Sequence, residues 1–364
     1  MHTIQRMARW LLLGALLAAG WGRQLPAQAA ATADPAGPST SATPPAHCGA
    51  APHTYTGPTP EAITDLHTIT STIHVSGLPP HIWDTQVRTA ISHTFPSDLE
   101  IYLIQPDSFG DKIALSTRNG GLADNIFANT LWSDQASFGV TEIFTFTNNV
   151  NLPYLIPEGA LGATHTKTPN GDWKLVIKDT AAGDTGSLNS WSLIITTLDL
   201  DPGGQVAIPT YATPKNIPDG GTVTSTVHVG GLDPLTENVS VHTFIRHARP
   251  GDLRLTLTSP TGLTTTLTYG QGISNTDLFN GTTWLDDAFM PVTDSTNGNF
   301  NGANLDQAQP EGAMGHFTGS NPNGTWTLAA QDVVVNGKTG TLDQWQLVVN
   351  GVHCNALFLP AVRR

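Results

Sequence analysis

The stretch Asn170–Leu193, NGDWKLVIKDTAAGDTGSLNSWSL, returns at Asn323–Leu347 as NGTWTLAAQDVVVNGKTGTLDQWQL. In the first copy Trp173, Leu175 and Ile177 alternate with Asp172, Lys174 and Lys178, which is the period of a strand with one buried and one wetted face. Asp179 to Gly186 is rich in Asp, Thr and Gly, residues that cap or tolerate turns. A second apolar run then starts with Leu188, Trp191, Leu193 and Ile195. The spacing predicts a hairpin, and its recurrence predicts two copies of one domain.

Working outward, the repeat covers most of the chain. TPEAITD (59–65) matches TPKNIPD (213–219), ITSTIHVSGL (69–78) matches VTSTVHVGGL (223–232), and ISHTFPSDLEIYLIQP (91–106) matches IRHARPGDLRLTLTSP (245–260), all at 213 − 59 = 154 residues. Trp132 and Asp134 match Trp284 and Asp286 at 284 − 132 = 152. Such drift means loop insertions on a shared framework. Trp132, Trp173 and Trp191 pair with Trp284, Trp326 and Trp345, so they are expected in the core; Trp83 has no counterpart.

Of 364 residues 12% are charged, with 36 Gly and 26 Pro. Good helix formers are scarce, which favours short strands and many turns. The expected fold is all-β: two consecutive jelly-roll-like β-sandwich domains, at 59–198 and 213–351, joined by a linker at 199–212. Arg6 and Arg9 precede an apolar run from Trp10 to Trp21, and Ala27-Gln28-Ala29 offers a cleavage site, so residues 1–29 read as a signal peptide and the mature chain as secreted or held at the cell surface. The run is too short to span a bilayer, and no later segment could. Residues 30–58, rich in Ala, Pro, Ser and Thr, read as a disordered linker, and 352–364 as a C-terminal tail.

Cleavage removes three basic residues, leaving 16 − 3 = 13 against 29 acidic, or −16. That balance argues against a nucleic-acid partner and suits either plain solubility or divalent cations. Cys48 and Cys354 flank the repeats; export permits a disulfide between them, and two separate thiols are the alternative. Their spacing does not suit a metal site.

No His-Gly-Thr-His or Gly-Thr-Ser motif of a subtilisin-like protease is present, and no Gly-x-Ser-x-Gly elbow, His-Glu-x-x-His helix or phosphate loop. Asp184-Thr185-Gly186 resembles an aspartic-protease string, but the second copy reads Lys338-Thr339-Gly340, so no dyad forms. The matched pairs His74/His228 and His93/His247 suggest structural hydrogen bonding. No residue is assigned to catalysis. Calcium is the candidate cofactor: Asp179 and Asp184 bracket the turn, and Asp98 and Asp134 are further repeated carboxylates. The competing role for Asp179 and Asp184 is capping of the turn.

Three motifs together resemble the P domain (P/Homo B domain) of kexin- and furin-like proprotein convertases. They are His-x-x-x-x-Asp-Leu (His93, Asp98, Leu99; His247, Asp252, Leu253), Asn-Gly-x-Trp-x-Leu (170–175; 323–328) and Asp-x(4)-Asp-Thr-Gly-x-Leu-x-x-Trp-x-Leu (Asp179 to Leu193). The resemblance implies a jelly-roll-like sandwich that holds no catalytic residue and, in convertases, follows and stabilises a subtilisin-like catalytic domain. Repeat two departs from it, being one residue longer after Asp332, with Lys338 where repeat one has Asp184. The expected function is a non-catalytic structural or interaction module. Its alternatives are an accessory or targeting part of a secreted subtilisin-like protease, and a module binding surface glycans, for which Trp83, Tyr102 and Tyr154 would be the aromatic platform.

Overall fold

The computed structural model describes residues 41–45, 48–106, 112–142, 145–165, 167–199, 203–272, 275–293 and 305–353. The signal peptide expected at 1–29 lies outside them. Domain 1 contains β1 (Ala51–Thr56), β2 (Glu61–Ile63), β3 (Thr68–Val75), β4 (His81–His93), β5 (Leu99–Ile104), β6 (Lys112–Thr117), β7 (Thr130–Trp132), β8 (Tyr154–Leu155), β9 (Gly171–Asp179) and β10 (Gly186–Leu198). Domain 2 contains β11 (Gly203–Ala207), β12 (Thr210–Tyr211), β13 (Lys215–Ile217), β14 (Thr222–Val229), β15 (Leu235–His247), β16 (Leu253–Thr258), β17 (Thr264–Tyr269), β18 (Asn280–Trp284), β19 (Gln307–Ala308), β20 (Gly324–Asp332) and β21 (Gly340–His353). Each domain stacks two sheets. In domain 1 they run β1-β10-β4-β7-β8, with β2 on β10, and β3-β9-β5-β6; in domain 2, β11-β21-β15-β18-β19 and β14-β20-β16-β17. All pairings are antiparallel except β7–β8 and β18–β19. The all-β, two-sandwich architecture is the expected one.

The hairpin is not. β9 pairs with β3 and β5, whereas β10 pairs with β1, β2 and β4 in the facing sheet. The Asp-rich turn therefore crosses from one layer of the sandwich to the other. Period-two alternation shows that a strand has one buried face but does not say which strand it pairs with. Leu188 and Trp191, three apart, both point inward because the β10–β4 register slips between Leu188 and Ser190; a β-bulge of this kind resets the alternation. The same slip recurs between Leu342 and Gln344.

The matched tryptophans fill the two cores with equivalent hydrogen bonds. Trp173 Nε1 donates to Pro169 O and Trp326 Nε1 to Pro322 O, both at 2.8 Å. Trp191 donates to Ser71 Oγ and Trp345 to Ser225 Oγ, again at 2.8 Å. Trp132 and Trp284 donate to Thr89 Oγ1 and Thr243 Oγ1 at 2.9 Å. A buried indole thus keeps its one polar atom satisfied in each copy.

Both domains begin earlier than the sequence suggests. Within the expected linker 30–58, residues 51–56 form β1, paired from Ala51↔Thr197 to Thr56↔Ser192. Within 199–212, β11 and β12 pair with β21. These are edge strands with one neighbour, so their sequences (APHTYT, GGQVA) carry no apolar period to betray them. At the other end β21 runs to His353, past the expected start of the tail. Trp83 is also buried. It sits with Ala42, Cys48 and Leu198 of the first half and Val352 of domain 2, where the two domains meet. Cys48 is fully buried and no described cysteine is free; Cys354 lies outside the described residues.

Candidate functional site

Two places gather the chemistry-bearing side chains: the turn at one end of each sandwich, and the seam between the domains.

At the turn of domain 1, His93 and Asp179 are fully buried and face each other, with Nε2 3.2 Å from Asp179 Oδ2. The ring's Nδ1 accepts from Phe95 N at 3.1 Å, so Nε2 carries the proton. Asp179 Oδ1 accepts from Ala181 N at 3.0 Å. Asp184 Oδ1 accepts from Thr94 Oγ1, and Asp65 Oδ1 accepts from the N–H groups of Gly183 and Asp184. The backbone carbonyl of Asp98 takes both the N–H and the hydroxyl of Thr180 at 2.8 Å. Domain 2 repeats the plan with His247 and Asp332 at 3.2 Å, and Asp219 takes Asn336 N. Asn336 also donates to Asp252 Oδ2 at 2.8 Å, a bond made by the extra residue of this longer turn. A cleft of about 740 Å³ opens beside it, lined by Asp219, Arg246, His247 and Asp277 among others.

Three of the four expected calcium ligands, Asp98, Asp179 and Asp184, thus meet at one end of domain 1. Asp134 does not: it lies at the seam. At the turn both Asp179 oxygens are already engaged, one by His93 and one by the turn's own N–H, which is the arrangement of a capping carboxylate. Among the described residues no group of three or more His, Cys, Asp or Glu is arranged to hold a metal ion. Asp179 is thus used as a turn cap in this structure. Calcium should therefore leave the melting temperature of domain 1 where chelator leaves it, and Asp184→Asn should not change that comparison. A calcium-dependent rise lost in Asp184→Asn would restore the metal reading.

The seam is built from a second repeated motif, Pro157-Glu158-Gly159-Ala160-Leu161-Gly162 and Pro310-Glu311-Gly312-Ala313-Met314-Gly315. Each Glu turns under its own domain's edge. Glu158 accepts from Thr117 N and Thr117 Oγ1 at 2.5 Å, and Glu311 from Tyr269 N at 2.6 Å. Burial pushes both acids up, Glu311 to about 7. The following residues form the 3-10 turns Leu161–Thr164 and Met314–Phe317, which pack against each other across the seam. Asp134 accepts from Leu161 N (2.9 Å) and Gly162 N (2.7 Å); Asp286 accepts from Met314 N and Gly315 N, both at 2.7 Å. The last glycine of each motif is required by the sister domain. A Cβ on Gly162 would collide with Asp286 Oδ2, and one on Gly315 with Asp134 Oδ2. Gln135 Nε2 donates to Gly315 O at 2.8 Å, and His316 Nδ1 lies 2.9 Å from Asp134 O. Ala136, Ile156, Ala160 and Ala313 supply the apolar contact.

Burial raises Asp134 to about 6 and Asp286 well above the usual carboxylate range, the second also through repulsion by Asp134. Asp84, beneath the N-terminal segment, is raised by burial to about 7. Sequence reasoning found Asp134 and Asp286 as a matched pair but assigned them no contact, and it missed the Pro-Glu-Gly-Ala-x-Gly repeat. The signal was present as an identity at 310 − 157 = 153 residues.

The aromatic platform expected of a glycan-binding face is not assembled: Trp83 is 1% exposed, and Tyr102 and Tyr154 are half-buried, Tyr102 beneath Lys112 and Tyr154 against the alanines of the seam.

The family described as the proprotein convertase P-domain matches residues 82–195 and 236–349. Leupeptin-inactivating enzyme 1 of Streptomyces exfoliatus is 32% identical over 126 residues, which are 34% of this chain and 22% of that protein. The chain thus spans about a fifth of the length of that curated relative. Among solved structures, the Aeromonas sobria serine protease in complex with its chaperone is 20% identical, over 42% of this chain and 28% of that one, at a TM-score of 0.29. PNGase F, a glycosylasparaginase from Flavobacterium meningosepticum, is 14% identical over 83% of this chain and 96% of that one, at 0.24. Scores this low carry no functional argument.

Proposed function

The chain belongs to the proprotein convertase P-domain family, in two consecutive copies, and from that premise we propose that it is a secreted, non-catalytic accessory module for a subtilisin-like protease made as a separate chain. One observation carries the non-catalytic part. The matched histidines that would be the first candidates for acid–base work, His93 and His247, are fully buried and held by an Asp on one side and the backbone on the other. A general base must reach a substrate proton, and both side chains are 0% exposed, His247 included although it backs the cleft of domain 2. The accessory part is supported by the family alone, since a shared fold by itself does not fix a function. Export is supported by the basic, apolar and small-residue sequence of residues 6–29. Among the described residues no helix is long and apolar enough to cross a membrane.

The test uses the chain recovered from culture medium, whose first residue should lie near Ala30. Added to a purified secreted subtilisin-like protease of the same organism, it should lengthen the thermal-inactivation half-life in a saturable, dose-dependent way, because binding the native form slows loss of that form. The chain alone should not cleave peptide substrates. A half-life unmoved at every dose would sink the accessory reading; peptide cleavage by the chain alone would sink the non-catalytic one.

A further inference from the structure

We infer that the seam between the two domains is a proton-controlled latch, closed when Asp134 and Asp286 hold a proton between them and loosened when both are ionised. This does not depend on the protease partner proposed above.

The geometry is reciprocal. Each carboxylate caps the 3-10 turn of its own domain and also lies against the glycine of the other domain's turn, so docking brings the two acids to the same spot. Capping alone would be satisfied in an isolated domain; only docking makes the acids neighbours. The space beside the pair is about 10 Å³, room for no more than one water. Among the described residues facing the pair, the four capping N–H groups are what offsets two negative charges, and no cation adds to them. The titratable groups facing the pair are Asp84, Asp287, Glu142, Glu237, His165 and His316, with no Lys or Arg among them. Both histidines are pushed down by burial, His165 to about 4, so they add no positive charge near neutral pH. Like charges brought together out of water cannot both ionise without cost.

The sign follows from linkage. An undocked Asp titrates near its ordinary value of about 3.9. In the seam Asp134 titrates at about 6 and Asp286 is also raised. The docked state therefore binds more protons across this interval. Docking is strongest below about pH 4 and weakens as pH rises through about 6 and beyond.

Calorimetry of the full chain reads this directly, since docked domains melt together and uncoupled ones apart. The wild type should melt in one transition at pH 5 and in two at pH 8. Asp286→Asn and Asp134→Asn each remove one of the facing charges and should keep a single transition at both values. Asp343→Asn, which removes a half-buried acid of β21 paired with the exposed Arg246 of β15, should split with pH as the wild type does. Using both seam variants guards against one failing to fold. A wild type that melts in the same number of transitions at both pH values would overturn the latch. So would either seam variant splitting like the wild type.

Discussion

Trp191→Ala is expected to cost domain 1 about 3–5 kcal/mol from the lost burial and the cavity left behind. The ring is 1% exposed, and Gly57 lies so close that any Cβ there would enter it. Its Nε1 also donates to Ser71 Oγ, so one side chain on β10 links the two sheets through β3. Removing the donor leaves the Ser71 hydroxyl with only its bond to Pro58 O, adding roughly 1 kcal/mol. Since a domain of this size is stable by about 5–15 kcal/mol, the variant should lose a large part of its stability. Urea unfolding should show it as a shift of the domain 1 midpoint; Trp191→Phe, which keeps most of the volume, should lose much less. A midpoint for Trp191→Ala unchanged from wild type would show that this ring is not the link between the sheets. Trp345→Ala, with its equivalent bond to Ser225, should do the same to domain 2.

The second large effect is expected at Asp179→Ala. It strands His93 in a site where both side chains are 0% exposed, and it removes the acceptor for Ala181 N. The neutral ring's Nε2–H and the N–H of Ala181 both lose their acceptor, and a buried donor left without one typically costs about 1–3 kcal/mol. Asp179→Asn keeps the shape and an acceptor oxygen, so it should be milder. Thermal melting of the three proteins should rank them wild type, Asn, Ala. If Ala proved as stable as wild type, the turn would be held by Asp65 and Thr94 alone.

Most of the fold was legible because burial writes a period into strands. Trp173, Leu175 and Ile177 announced β9, and the same pattern at Trp326, Leu328 and Ala330 announced β20. Partner choice left no such trace. Which strand lies beside β9 is decided by contacts with residues about a hundred positions away, and the turn at 180–185 looks alike whether it closes a hairpin or crosses between sheets. β1 escaped because an edge strand packed on one neighbour needs no apolar alternation. At the site, the His93–Asp179 end was visible as paired residue types, and capping by Asp179 was one of the two roles its position in an Asp-, Thr- and Gly-rich turn allowed; the burial of His93 against it was not. The seam was the least legible. Asp134 read as a cation ligand because its real neighbours, the N–H groups of Leu161 and Gly162, are backbone and therefore silent in sequence. Trp83 was legible as unmatched, and it is unmatched because it serves the junction and not a repeated core.

The reciprocity of the seam has a bearing on valence. Gly162 meets Asp286 as Gly315 meets Asp134, so the same patch on each domain is consumed by its counterpart. A head-to-tail contact would leave one patch open at each end and could recruit a third domain, then a fourth. A self-complementary contact closes after two. The duplicated chain is thus a finished pair that cannot propagate into a fibre through this surface, and whatever it engages must be met by its outer faces, which come as near-duplicates, two per molecule.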